Sequence, residues 1–170
     1  MLLINRITGK LGKHLAGSDS SYVRAGTTAT TSGTSIDITA LPPLIERLYI
    51  VFDGVSLSGT DNLLVQLGDS GGLETSGYTS SSVFGGGGVS SSSGFIVRLT
   101  DAARVFTGIM TLQRMTGQQW ICTHNGHSTT AVASSGGGTK TLSAELDRFS
   151  LVATGANSFD AGAVGYAYQL

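Results

Sequence analysis

The sequence predicts an all-β fold: an antiparallel β-sandwich, jelly-roll-like, with a short N-terminal arm. Two observations carry that expectation. From residue 33 to the last residue, short apolar alternations recur between Gly- and Ser-rich punctuation, as in sandwiches and barrels of antiparallel strands. Over the same span almost nothing has helical spacing, apart from a single turn expected at Asp101 to Arg104. The length, 170 residues and 17.4 kDa, suits one domain with a real core, so the organisation expected is an arm at residues 1–30 and a sandwich at 31–170.

The first residues differ in character from the rest. Ile4, Ile7, Leu11 and Leu15 recur at helical spacing, but Gly9 and Gly12 would each cost about 1 kcal/mol against Ala in a helix interior. Arg6, Lys10, Lys13 and Arg24 are basic, and Asp19 is the one acid among residues 1–24. A basic, weakly helical segment of this kind is either a frayed terminus or an arm that orders against a partner, and as an arm it makes Ile4, Arg6, Ile7, Lys10, Leu11 and Lys13 the candidate anchoring residues.

The strands follow in order. Ile36 and Ile38 alternate with Ser35 and Asp37. After Pro42 and Pro43, RLYIVFDGV sets Leu48, Ile50 and Phe52 on one face and Arg47, Tyr49, Val51 and Asp53 on the other. NLLVQLGD is a second strand, with Leu63, Val65 and Leu67 opposed to Leu64, Gln66 and Gly68. SGTD between the two is turn chemistry and predicts a hairpin. Residues 80–94, SSSVFGGGGVSSSSG, are of low complexity, and chain entropy opposes fixing four glycines, so an exposed loop is expected there. SSGGGTK at 134–140 predicts a second loop. Contacts made by such loops would come from Phe84, Gly85, Gly86, Ser91, Gly136 and Gly137. GFIVRL, RVFTGIMTLQR, QQWICTH, HSTTAVA, LDRFSLVA and AVGYAYQL continue the strand series. Asn125-Gly126 is the strongest two-residue hairpin signal, since both central positions of a type I′ turn need positive φ, and it predicts His124 paired with His127. Trp120, Cys122 and His124 then share one face, and Ile121 and Thr123 the other.

Charge and cysteine content remove several function classes. Lys+Arg 10 against Asp+Glu 11, with a pI near 6.2, gives no net field to draw in nucleic acid or an anionic membrane. Only 12% of residues are charged while mean hydropathy is +0.18, so Ser, Thr and Gly provide the solubility, which suits a surface that meets protein or sugar. One cysteine, Cys122, excludes an internal disulfide and makes folding in a cytosol compatible. No apolar run approaches the roughly 20 residues of a membrane-spanning helix. MLLINRITGK lacks the apolar core of a signal peptide, because Asn5 and Arg6 interrupt it.

Three patterns carry possible chemistry. LGDSGG places Ser70 in the letters of a chymotrypsin-like nucleophile, but a serine hydroxyl needs a histidine base oriented by a carboxylate. Only His14 precedes Ser70, without an Ala-Ala-His-Cys context, so a Gly-rich turn after a strand is the expectation. Cys122, His124 and His127 form Cys-x-His-x-x-His, and the hairpin would bring the imidazoles to roughly 5 Å of each other, but three ligands leave a zinc site incomplete. Asp53, Asp61, Asp69, Glu74, Asp101 and Asp160 sit beside turns, where solvated acids are common, and demand no glycosidase pair. Tyr22, Tyr49, Tyr78, Tyr166 and Tyr168 offer contact area at small entropic cost. Neither catalysis nor a cofactor or metal is expected.

At RLYIVFDGVSLSGTDNLLVQLGDSGGLETSGY, GGGTKTLSAELDRFSLVA and FDAGAVGYAYQL, over about residues 30–170, the chain resembles a recurrent domain of tailed-bacteriophage and prophage tail fibres. In those proteins a Gly-Val-Ser turn is followed by Val-Gln-Leu-Gly-Asp and by Gly-Gly-hydrophobic-Glu-Thr-x-Gly-Tyr. A Gly-rich loop then leads into Lys-Thr-Leu-Ser-x-x-Leu-Asp-Arg, and the chain closes on Phe-Asp-x-Gly and a last strand. The resemblance implies an antiparallel sandwich in a virion assembled in a bacterial cytoplasm, often as a homotrimer whose distal loops meet a host glycan or protein. Tail fibres carry such a domain after a long shaft, whereas about 30 residues precede it here. A short fitting such as an adaptor, a tip or a capsid decoration protein is therefore the companion expectation, with the basic arm as its attachment to other virion proteins.

Overall fold

The computed structural model describes residues 22–128 and 132–170, and every described element is a β-strand. In chain order these are β1 (Tyr22–Ala29), β2 (Ser35–Ile38), β3 (Arg47–Leu57), β4 (Leu63–Asp69), β5 (Gly72–Leu73), β6 (Tyr78–Phe84), β7 (Gly87–Ser91), β8 (Phe95–Val97), β9 (Phe106–Arg114), β10 (Gln119–Ser128), β11 (Ala133–Thr141), β12 (Arg148–Ala153) and β13 (Phe159–Gln169). They form two antiparallel sheets packed face to face. The larger runs β1-β13-β3-β9-β10-β11-β6-β7; the smaller runs β2-β12-β4-β5, with β8 also paired to β4.

Within this order lies a jelly roll. β1-β13-β3-β9 faces β2-β12-β4-β8, and consecutive strands of this frame cross between the sheets except β4 and β8, which pair within one sheet. Two insertions enlarge chiefly the larger sheet, while the two-residue β5 adds to the smaller one beside β4. β5 to β7 interrupt the passage from β4 to β8, β10 and β11 interrupt that from β9 to β12, and the insertions pair with each other through β11 and β6. The sandwich thus has an eight-strand frame and a lateral extension, β10-β11-β6-β7.

Alternation builds the core. Leu48, Ile50 and Phe52 on β3 are fully buried, as their period-two spacing requires, and they face Leu63, Val65 and Leu67 of β4 and Phe149 and Leu151 of β12 across the sandwich. β4 is buried on both faces: Gly94 packs against Leu64 and Gln66, and Gln66 Nε2 donates to the Ser93 carbonyl at 2.8 Å. Asp101 to Arg104 is a turn, with Arg104 N bonded to Asp101 O at 3.0 Å.

Several expectations are corrected. β3 and β4 are not a hairpin, since β3 lies between β13 and β9 while β4 pairs with β12; the SGTD segment carries the chain from one sheet to the other. Residues 80–94 are not a loop but the hairpin β6–β7 and the turn into β8. Residues 134–138 are not a loop but the middle of β11, hydrogen-bonded on both sides. Asn125-Gly126 is not a turn: it lies within β10, opposite Ile109 and Gly108, and Gly126 is glycine because the Phe106 ring occupies the space its Cβ would take. The chain reverses later, between Ser128 and Val132, whose backbones bond at 3.2 Å. Tyr22–Ala29, expected within the arm, is the edge strand β1 on β13. The candidate anchoring residues Ile4, Arg6, Ile7, Lys10, Leu11 and Lys13 lie outside the described residues.

Candidate functional site

The sites suggested by residue type resolve one at a time. Ser70 is exposed in the two-residue turn from β4 to β5. The neighbouring Asp69 carboxylate accepts from Gly71 N at 2.7 Å and from Ser143 Oγ at 2.6 Å, and those two bonds hold it below the usual carboxylate range. Both described histidines lie on β10 in the other sheet, so LGDSGG is the turn its glycines predict.

Cys122, His124 and His127 do not converge. β10 alternates, so Cys122 and His124 point into the sandwich while His127 points out and is exposed. Burial pushes the Cys122 thiol far up. Burial likewise drives the His124 imidazole down to about 4, with the Ile96 backbone acting in the opposite sense; neither ring nitrogen makes a well-formed hydrogen bond among the described residues. No three His, Cys, Asp or Glu side chains among the described residues lie close enough together to hold a metal ion. His124 is instead a core group, set edge-on to Phe106 at 6.2 Å and lying where a Cβ on Gly136 would be.

The acids serve local structure. Asp61 accepts from Asn157 N at 2.9 Å, Asp101 from Ala103 N at 3.0 Å, and Asp160 from Ser56 Oγ. Glu74 pairs at 2.5 Å with Lys140, a buried cation that also donates to Ser76 O at 2.8 Å and lies over the Tyr78 ring. Burial opposes ionisation of Glu74, but the Lys140 and Ser143 hydrogen bonds outweigh it, and the pKa is lowered.

The residues expected to make loop contacts divide. Gly85 and Gly86 are exposed at the tip of β6–β7. Phe84 is buried beneath the Arg104 guanidinium, 3.9 Å above its ring; Ser91 is half-buried in β7; Gly136 and Gly137 lie in mid-strand. Of the tyrosines, Tyr78 is a core residue whose hydroxyl accepts from Leu67 N at 2.7 Å across the sandwich, and Tyr166 packs edge-on to Phe149. Tyr22 is 63% exposed and rests against Tyr49 at 5.8 Å.

What alternation alone does not reveal is where the exposed apolar side chains gather, because that depends on which strands become neighbours. The large exposed hydrophobics among the described residues occupy two surfaces. Tyr22, Leu44, Met115 and Leu170 lie at one end of the sandwich: Tyr22 opposes Gln169, Gln169 opposes Arg47, and Glu145 joins Leu44 N at 2.6 Å to the Arg114 guanidinium at 3.6 Å. Val51, Ile109, Ile121 and Val83 lie on the outer face of the larger sheet. On that face a groove of about 360 Å³ runs along β13, floored by Ala163, Gly165 and Ala167 and walled by Tyr22 and Arg24 on β1 and Val51 and Asp53 on β3. Among the described residues, neither surface brings together a nucleophile, base and oxyanion donor of the kind acyl transfer needs.

No protein-family model matches the chain, and no curated protein or solved structure matches it either.

Proposed function

We propose that the chain is a structural protein of a tailed-bacteriophage particle, a tail-fibre or tail-tip module that acts as a homotrimer and binds by surface complementarity without catalysis. The single observation carrying this reading is the gathering of exposed apolar side chains on an end and a sheet face, with Asp61, Asp69 and Asp101 each accepting a backbone N–H. The tail-fibre motifs quoted above support it, as does the jelly roll, an architecture common in virion proteins. The end that bears Tyr22, Leu44, Met115 and Leu170 is where the chain enters the sandwich, and with the basic residues of the arm it would seat on other virion proteins. The far end of the sheet would face a host glycan or protein, each copy adding to avidity.

The test is immunogold labelling of particles from cells expressing the tagged chain, alongside Leu44→Asp/Met115→Asp. Label at the tail that the double variant loses is the expected result. Label over the head would replace the fibre module with a capsid decoration protein, and absence from particles would end the virion reading.

A further inference from the structure

Beyond β3, the outer face of the larger sheet carries no formal charge. Across β9, β10, β11, β6 and β7 the outward positions are Thr, Ser, Gln, Asn, Gly and Ala, with Ile109, Ile121 and Val83 the apolar exceptions and His127 the one titratable group among the described residues. The charges of these strands are placed elsewhere: Lys140 points inward to Glu74, and Arg114 turns to Glu46 and Glu145 at the end of the sandwich. In a chain whose solubility already rests on few charges, five adjacent strands without one are a distinct surface.

We infer that this face is buried against a second copy of the chain. In a two-fold contact between identical surfaces the side chains on the axis meet their own copies, so a charge at the centre of the face would meet its own sign, at a cost that an uncharged surface avoids. The extent is suitable. Five strands spaced ~4.8 Å apart and ~8 residues long at ~3.3 Å each give a footprint on the order of 600 Å² before side-chain relief is added, near the ~800 Å² per partner of a stable interface. Relief is present too. Thr123, Gly137 and Ser81 lie in one cross-strand row, and Gly137 leaves a dip one side chain deep, flanked by Ile121 and Val83 one row away on either side. A contact between identical faces closes on a two-fold, so it is separate from the homotrimer of the proposed function, does not rest on it, and adds to it a pairing of copies.

The experiment uses the full chain and light scattering behind size exclusion, with Thr123→Glu and Thr123→Lys as separate variants. Thr123 is exposed in mid-strand, so both should fold with the wild-type circular dichroism. The expected result is an even number of subunits for the wild type, half that number for each variant, and recovery of the wild-type mass when the two are mixed, because Glu then meets Lys. A wild type that is monomeric at about 100 μM, or variants that keep the wild-type mass, would overturn the inference. Should Thr123→Glu not fold, Ile109→Lys and Val83→Glu give the same reading from the neighbouring strands. Particle labelling is a separate measurement, so loss of the virion reading leaves this result standing, and the reverse holds as well.

Discussion

The frame and the extension of this sandwich are held together by different physics. In the frame, Phe52, Phe106, Phe149 and Phe159 and the Leu, Ile and Val residues around them are removed from water almost completely, and area does the stabilising. In the extension the inward positions include Ser80, Ser82, Ser134, His124 and Lys140, all buried, alternating along β11 with Gly136 and Gly138. Here Ser80, Ser82 and Lys140 are satisfied polar groups, whereas the His124 ring nitrogens and Ser134 Oγ have no well-formed hydrogen bond among the described residues. Ser80 Oγ accepts from Ile96 N at 2.9 Å and Ser82 Oγ from Arg98 N at 3.1 Å, so the serines of β6 complete the free edge of β8 where no further strand pairs. The frame depends chiefly on buried apolar volume; the extension adds to buried apolar side chains such as Trp120 and Tyr78 a dependence on particular polar contacts.

The largest expected effect is therefore a cavity in the frame. Phe149→Ala removes a fully buried ring packed edge-on to Tyr166 at 5.6 Å and should cost about 3–5 kcal/mol, read as a lowered urea midpoint. A loss below about 1 kcal/mol would mean that the two sheets repack freely and that the contrast with the extension is false.

Next in size is an acid limb that belongs to the extension. The folded protein keeps His124 neutral down to about pH 4, whereas an unfolded histidine takes up its proton near 6.5. The unfolded chain thus binds more protons in that window, and stability falls as pH drops from 6.5 to 4, by about 3 kcal/mol in all. Asp69 and Glu74, with lowered pKa values, begin to lose their contributions as pH falls toward their ordinary values of 3.8 and 4.5, so the interval from pH 7 to about 5 belongs to the histidine. Urea midpoints between pH 7 and 5 should fall for the wild type and stay level for His124→Leu. A level wild-type profile would show that the imidazole is hydrated after all.

These contrasts explain what the sequence disclosed. The frame was legible because large apolar side chains at period two have one physical reading: Leu48, Ile50 and Phe52 could only be one face of a strand, and the structure puts them there. The extension was misread because Ser and Gly have several. Gly136 and Gly138 looked like loop residues, but they are glycine so that the His124 imidazole and Ser80 can occupy the space above them. Gly126 looked like a turn and instead makes room for Phe106, whose partner strand is fixed only in three dimensions. The Cys-His-His cluster failed for the same reason: once Asn125-Gly126 is strand, alternation sends His127 to the opposite face from His124. The anchoring residues of the arm lie beyond the described structure, and the apolar end and uncharged face arise from a strand order that no local pattern encodes.

A third prediction tests the serines directly. Ser82→Ala leaves the Arg98 amide without its acceptor in a buried place and should cost about 1–2 kcal/mol. Volume barely changes, so a frame residue of equal size would show nothing comparable. Amide hydrogen exchange supplies the local reading: protection should drop at Arg98 while that of Leu48 and Ile50 stays at the wild-type level relative to global stability. Uniform loss would place Ser82 in the same cooperative unit as the frame and erase the distinction.

The smallest effect is expected to stabilise. Gly85 and Gly86 close β6 onto β7 with φ values of 55° and 81°, and Phe84 opposes Gly87, so this is a two-residue hairpin of the type I′ class. Asn is favoured at the first of those positions, and a Cβ there would meet Val132 Cγ1 at 3.8 Å, an ordinary contact. Gly85→Asn restricts the unfolded chain while fitting the folded one, for a gain of about 0.5 kcal/mol. It also sets the Asn-Gly pair where the chain does turn, and the mid-strand Asn125-Gly126 gives the control: Asn125→Thr, exposed on β10 with its turn chemistry unused, should be neutral or slightly stabilising by strand propensity. If Asn125→Thr were instead destabilising by more than about 1 kcal/mol, Asn125 would be serving a turn conformation, and the continuity of β10 on which both the buried His124 and the uncharged outer face depend would fail with it.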